Sequence, residues 1–310
     1  MTDAPARPTR RRWLGPAAVA VAVLVVASAG AVALTPSGLA SLTPTPVNVA
    51  LTVMPGAASP TPPTDASGPL IAVADLLVAA PSDATHGRYY YLQVEEWSRA
   101  DAEIIGFRRE DWRTDDGGLI RSQQRLPGQP AASFDMARIG VPGTFAGVTP
   151  KRDTGDPAEM ESFIERHGRP SGNPTELAKI IDNDNGGQPL ADPCPPSCGL
   201  TIRPIVFFDA VTGLYRETYL DLPARTALLR LVAVQPGITF LGEVTDRAGR
   251  KAIGVAVTEG GIRFCLLFDR KTGFLLASER GVPGYVLDDY TLYLTLDRRD
   301  SQTPTSGITV

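Results

Sequence analysis

Two histidines, three cysteines and one Asp/Asn run are the residues of this 310-residue chain whose types lend themselves to chemistry. His86 and His167 each precede a glycine in loop-like sequence. Neither belongs to an H-x-x-x-H or H-E-x-x-H pair, the spacing that turns two imidazoles on one helix face toward zinc. Asp182-Asn183-Asp184-Asn185-Gly186-Gly187 opens like a calcium loop, but Pro193 stands at the twelfth position, where a bidentate carboxylate is required. No G-x-S-x-G elbow nominates a serine nucleophile. Cys194 and Cys198 have three residues between them in a proline-rich loop, unlike the C-x-x-C of thiol oxidoreductases. Outside the cell such a close pair is expected to close as a structural disulfide. Cys265, between Phe264 and Leu266, reads as a small buried side chain. No catalytic group, metal or cofactor is nominated, and the chain reads as a non-enzyme.

Apolar surface is the other resource. Tyr89, Tyr91, Trp97, Phe107 and Trp112 on the first strands, with Phe207, Phe264 and Phe268 further on, are the candidates for lining a ligand pocket. The same residues could serve as cross-strand and core packing. The charges interleaved with the first group, Glu95, Glu96, Arg108, Arg109, Glu110 and Asp111, read as rim or solvent-face pairs.

Elements that would position these residues follow from periodicity. Leu70–Ala80 is a short helix with Ile71, Ala74, Leu77 and Val78 on one face. Gly87–Trp97, Glu103–Thr114 and Leu119–Leu126 are strands, the last two joined by the Asp115-Asp116-Gly117-Gly118 turn. The stretch 127–150 has no period and reads as loop. Asn173-Pro174-Thr175-Glu176 starts a helix, with Asn as N-cap and Pro in the first turn. Ile205–Glu217 is a second helix. Pro223 opens a third, whose Ala224, Ala227, Leu228, Leu231 and Val232 form an apolar stripe. Five strands then alternate: Thr239–Thr245, Ala252–Thr258, Ile262–Phe268, Phe274–Glu279 and Tyr285–Leu296. Strands, then helices, then a meander imply an α+β domain. The expected form is a single curved antiparallel sheet covered on one face by two to three helices.

Ahead of this domain, Arg10, Arg11 and Arg12 precede an uncharged apolar run from Trp13 to Leu34. About 20 such residues span a bilayer, and flanking arginines stay in the cytoplasm. The run is longer than the h-region of a cleaved signal peptide, although Ala31-Val32-Ala33 would suit a cleavage site. Residues 1–12 form a basic stub, 13–34 the transmembrane anchor and 35–68 a Pro/Thr/Ser-rich tether reaching up to ~100 Å. Residues 69–300 form the extracytoplasmic domain and 301–310 a tail. Arg7, Arg10, Arg11 and Arg12 against Asp3 give the stub a net +3; the chain totals −4, leaving −7 outside. So acidic an exterior argues against nucleic acid as a partner.

The basic stub and span, Gly87-Arg88-Tyr89-Tyr90-Tyr91 and Asn173-Pro174-Thr175-Glu176-Leu177 share a pattern with a known group. So do Leu222-Pro223-Ala224, Pro236-Gly237-Ile238, Gly242-Glu243-Val244-Thr245-Asp246, Gly249-Arg250 and the Phe268-Asp269 to Thr272-Gly273 turn. In these residues the chain resembles actinobacterial single-span membrane-anchored proteins whose genes often neighbour those of extracytoplasmic-function sigma factors. Members commonly carry a longer cytoplasmic head than Met1–Arg12. In topology the family is similar to periplasmic lipoprotein carriers of the LolA-like fold, in which a curved sheet and helices enclose an apolar cavity. The distribution of side chains, with no positioned acid, base or metal group but a bulky apolar sheet face beneath helical stripes, suits a membrane-anchored, non-enzymatic module that binds an apolar, lipid-like ligand. The alternatives are an envelope sensor or protein-interaction partner linked to a sigma-factor/anti-sigma system and, third, a hydrolase without a recognisable motif.

Overall fold

Apolar alternation makes strands of both ends of the domain, and period-3.6 stripes make helices of its middle. A computed structural model describes residues 64–65, 67–81, 86–155, 163–184, 203–282 and 288–302. The stub, the span, most of the tether, Cys194, Cys198 and the tail beyond Gln302 lie outside these residues. Among the described residues, no helix is long and apolar enough to cross a membrane.

The order begins with β1 (Thr64–Asp65) and α1 (Ser67–Val78), so regular structure starts inside the stretch read as tether. β2 (Tyr89–Ala100), β3 (Glu103–Arg113), β4 (Leu119–Arg125), β5 (Gln129–Pro130) and β6 (Lys151–Gly155) follow. The middle holds α2 (Phe163–His167), α3 (Pro174–Asp184), α4 (Pro204–Glu217) and α5 (Leu222–Val234). Then come β7 (Thr239–Thr245), β8 (Lys251–Glu259), β9 (Ile262–Phe268), β10 (Leu275–Gly281) and β11 (Asp289–Arg299).

All strands join one open sheet in the order β1-β7-β8-β9-β10-β11-β2-β3-β4-β6, with β5 also on β3. Every pairing is antiparallel. The β2–β3 hairpin closes over Asp101 and Ala102, with Asp101 at φ 54°. That left-handed conformation matches the twist of a two-residue hairpin, and a short Asx side chain tolerates it. The α+β class and the large antiparallel sheet expected from the sequence are therefore present.

The helical cover is larger than expected. α4 lies over β8, β9 and β10, while α5 packs on α1 and α3. Four helices of eleven or more residues, rather than two to three, build this layer. α1 joins it because Leu70, Val73, Ala74 and Leu77 are buried in the main core. Its buried face differs from the expected one, for Ile71 and Val78 are 38% and 66% exposed. Asp221 caps α5 by accepting from the Ala224 amide at 2.9 Å, and Asn173 caps α3 in the same way through Thr175 at 2.9 Å. Arg225, fully buried, fastens α5 to the β9–β10 turn. It donates to the carbonyl oxygens of Thr272 and Leu220 at 2.7 and 2.6 Å, with its guanidinium 3.8 Å from the Phe274 ring centre.

The opposite face is also covered, which corrects the one-face expectation. The aperiodic stretch after β4 folds over it and buries Phe134, Ile139 and Phe145 against Trp97, Leu276 and Leu292. Trp97 lies 5.4 Å from Phe134 and 5.8 Å from Phe145 between ring centres. Gln124 fixes the end of this stretch by donating to the Val148 carbonyl at 2.6 Å. Antiparallel sheets commonly leave one face to water; here apolar side chains on both faces demanded two covers.

Candidate functional site

Register decides where the charges of β3 go. Tyr90, Leu92 and Val94 belong to the core beneath the helices, and their cross-strand partners are Arg113, Asp111 and Arg109. Partners share a face, so Arg109, Asp111 and Arg113 all project on the helix side. β4 adds Arg121, opposite Asp111. Arg216, in the last turn of α4, arrives from above.

Asp111 is the centre of this network and is fully buried. Arg121 grips it with both prongs, Nε to Oδ1 at 2.7 Å and Nη2 to Oδ2 at 2.9 Å. Arg113 donates to Oδ2 at 3.2 Å and Arg109 Nε stands 3.3 Å from the same oxygen. Burial alone would raise this carboxyl, but the Arg121 hydrogen bonds and the charges of Arg109 and Arg113 hold it below the ordinary carboxylate range. Glu96 extends the network, accepting from Arg109 at 2.9 Å and pairing with Arg216 at 3.1 Å. Arg216 also donates to the Thr291 hydroxyl at 2.8 Å. Nearby Asp289 is pushed up to about 6, mainly by burial; Glu96 and Asp288 add to the rise, while Arg216 opposes it.

The reading of these charges as rim pairs is thereby corrected for two of them. Asp111 and Glu95 are both fully buried, the latter on the other face beside Arg108 at 3.2 Å. Burial raises the Glu95 carboxyl in spite of Arg108's charge. The two burials have different causes: guanidiniums of Arg109, Arg113 and Arg121 enclose Asp111, whereas Glu95 lies beneath the stretch after β4, beside Arg108 and the Gly140 backbone.

The eight aromatic candidates fall in four separate places. Tyr89, Tyr91 and Trp112 form a small cluster on the face away from the helices, with Tyr91 and Trp112 ring centres 5.3 Å apart. Arg299 caps it at 3.7 Å from the Tyr91 ring centre. Trp97 lies in the second core, under the loop. Phe107 sits on the helix-side face with Arg125 over its ring at 5.4 Å. Phe207, Phe264 and Phe268 are buried in the main core, where Phe208 meets Phe264 edge-on at 5.6 Å. Cys265 is buried and free, its thiol pushed up to about 12 by burial. Cys194 and Cys198 lie outside the described residues, as does part of the Asp182–Gly187 run.

Sequence reasoning missed Asp111, Arg121, Arg216 and Thr291 as parts of one assembly. The signal was present in β3, where Arg109, Asp111 and Arg113 recur at period two beside an apolar strand. Arrangements of this kind hold and orient oxyanions or acidic side chains, since a guanidinium presents several donors in one plane. Neither a known family model nor a curated protein matches this sequence.

Proposed function

We propose that the chain is a non-enzymatic module that engages an envelope protein through the arginine-rich end of its helix-side sheet face. A single span, Trp13–Leu34 behind Arg10–Arg12, would hold it to the cell membrane with the domain outside. One observation carries the reading. Beneath the helices, Phe264 and Phe268 of the face pack with Phe207 and Phe208 of α4, while beyond α4 the face gathers Arg109, Arg113 and Arg121, with Arg216 reaching over from the last turn of α4. Arg125 and Lys151, both exposed, extend it to the sheet edge. A basic face on a chain of net charge −4 favours an acidic partner surface.

The LolA-like topology implied by the resemblance supports a second reading, a carrier with an apolar ligand between sheet and helices. Lipid extraction and mass spectrometry of the purified full-length protein distinguish the two. The surface-acting module predicts only substoichiometric, variable lipid. A reproducible lipid near one per chain would move the conclusion to the carrier.

A further inference from the structure

α1 is apolar even on the side that the described residues leave uncovered. Of its twelve residues only Asp75 is charged, and Asp75 is paired with Arg230 of α5 at 2.8 Å. Leu70, Val73, Ala74 and Leu77 face the core. Leu76 and Val78, by contrast, are 58% and 66% exposed, with Ile71, Ala72 and Ala79 exposed beside them. Val234 adds to the same surface. β1 leads into α1, α5 leads into β7, and Asp65 pairs with Thr239, so the start of α1 lies at the end of α5. One turn from the Asp75–Arg230 pair, Ile71 and the exposed Val234 therefore meet. A helix that is apolar all round is ordinarily covered on every side, and a contiguous exposed apolar patch marks a contact.

The chain entering β1 carries a segment of matching chemistry. Pro46 and Pro55 bracket Val47-Asn48-Val49-Ala50-Leu51-Thr52-Val53-Met54, eight residues without charge or proline. Val47, Val49, Leu51 and Val53 alternate with Asn48, Ala50 and Thr52, the pattern of an extended segment that buries one side. The lengths agree as well. At ~3.3 Å per residue Val53 stands ~20 Å from Val47, while the twelve residues of α1 rise ~18 Å. Nine residues, 55–63, separate the segment from β1 and extend to roughly 30 Å, enough to return over the whole helix.

We propose that segment 47–54 docks in extended form on the exposed face of α1 and so pins the chain between span and domain. A separate protein or a second copy fits less well. Ile71, Leu76, Val78 and Val234 fall far short of the ~800 Å² per partner that a stable interface buries. A segment joined to β1 by nine residues instead acts at a local concentration on the order of millimolar. A bilayer resting on this face would strip water from Asp75 and Arg230, whose side chains are 60% and 44% exposed. One strand's width, ~5 Å, leaves that pair a wet side. Docking leaves residues 35–46 as the free tether, with a reach of ~37 Å at ~3.1 Å per residue. The shorter reach rests on the single-span reading and the docking does not, so the two can fail separately.

The test places a photoreactive benzophenone side chain at 76 in the full-length protein, held one chain per phosphatidylcholine nanodisc, and maps the adducts by mass spectrometry. A dominant adduct to residues 47–54 of the same chain is expected. Leu51→Asp puts a charge on the docked side and should lower the yield by about tenfold or more. Thr52→Asp, one residue on and facing water, should change it by less than about twofold. The proposal is overturned by an adduct to phospholipid alone, by an adduct that forms only with two chains per disc, or by none at all. An adduct that Leu51→Asp leaves unchanged, or that both substitutions lower equally, overturns it as well.

Discussion

Asp111→Asn is the most informative perturbation of the ionic network. The substitution keeps the shape of the side chain and deletes one charge. Asp111 is fully buried, while the side chains of Arg109, Arg113 and Arg121 are only 13%, 18% and 30% exposed. Removing one member of a buried ionic group costs about 3–5 kcal/mol, because the remaining charges stay desolvated without a partner. Arg121 can partly turn to water and Arg109 keeps Glu96, so the lower end, about 3 kcal/mol, applies here. For a domain of this size that corresponds to a melting temperature lower by about 6–12 °C. Urea unfolding followed by tryptophan fluorescence reads the same loss as a lower midpoint at constant slope. The pH dependence gives an independent check. Because the folded-state pKa of Asp111 is depressed, its stabilisation is present above the unfolded value of 3.8 and is lost as pH falls through the folded value. The variant should lack that acid-side decline. A cost below about 1 kcal/mol, the worth of an exposed pair, would refute the claim that the network is a buried ionic unit.

Two further substitutions examine neighbouring parts of the fold. Phe145→Ala should cost about 3–5 kcal/mol in chemical denaturation, since Phe145 fills the second core against Trp97; a loss under about 1 kcal/mol would mean that the stretch after β4 is not a true cover. Asp289, pushed up to about 6 by burial, carries the opposite sign from Asp111: its raised folded value makes stability fall as pH rises from about 4 to about 6. Asp289→Asn should therefore stabilise the protein at pH 7.5 by on the order of 3 kcal/mol and flatten that part of the profile; destabilisation at pH 7.5 would contradict the assignment.

Much of the fold was legible because local signals agreed. Ile253, Val255 and Val257 alternate with small residues in β8, and the Gly260-Gly261 pair at φ 56° and 79° sets the next hairpin. The Asn173 cap and Pro223 marked the helix starts within a residue or two. What escaped lacked a period or depended on partners. Phe134, Ile139 and Phe145 are spaced irregularly, so nothing local distinguishes a core-covering loop from a solvated one. β6, Lys-Arg-Asp-Thr-Gly, carries no apolar alternation and is a strand only because β4 offers it an edge. In α1 apolar residues lie all round the helix apart from Asp75, so periodicity alone did not fix the buried face, and contact with α5 chose it. The ionic site was hidden for a related reason. Arg-Arg-Glu-Asp-Trp-Arg looks like solvent-facing charge until the register with β4 sets Arg121 opposite Asp111, between Arg109 and Arg113. After the register is fixed, burial of Asp111 follows from its pairing with Leu92.

Photo-cross-linking from neighbouring positions of β4 in intact cells tests the binding face most directly. Gln123 pairs with Arg109 and lies on the helix-side face, whereas Ser122 pairs with Glu110 on the other. A one-residue step reverses the direction of the probe without moving the backbone. The account predicts a discrete protein adduct from a photoreactive residue at 123, absent at 122 and lost when Arg125→Glu and Lys151→Glu are added. An adduct from 122 alone, or one from 123 that survives both charge reversals, would contradict it.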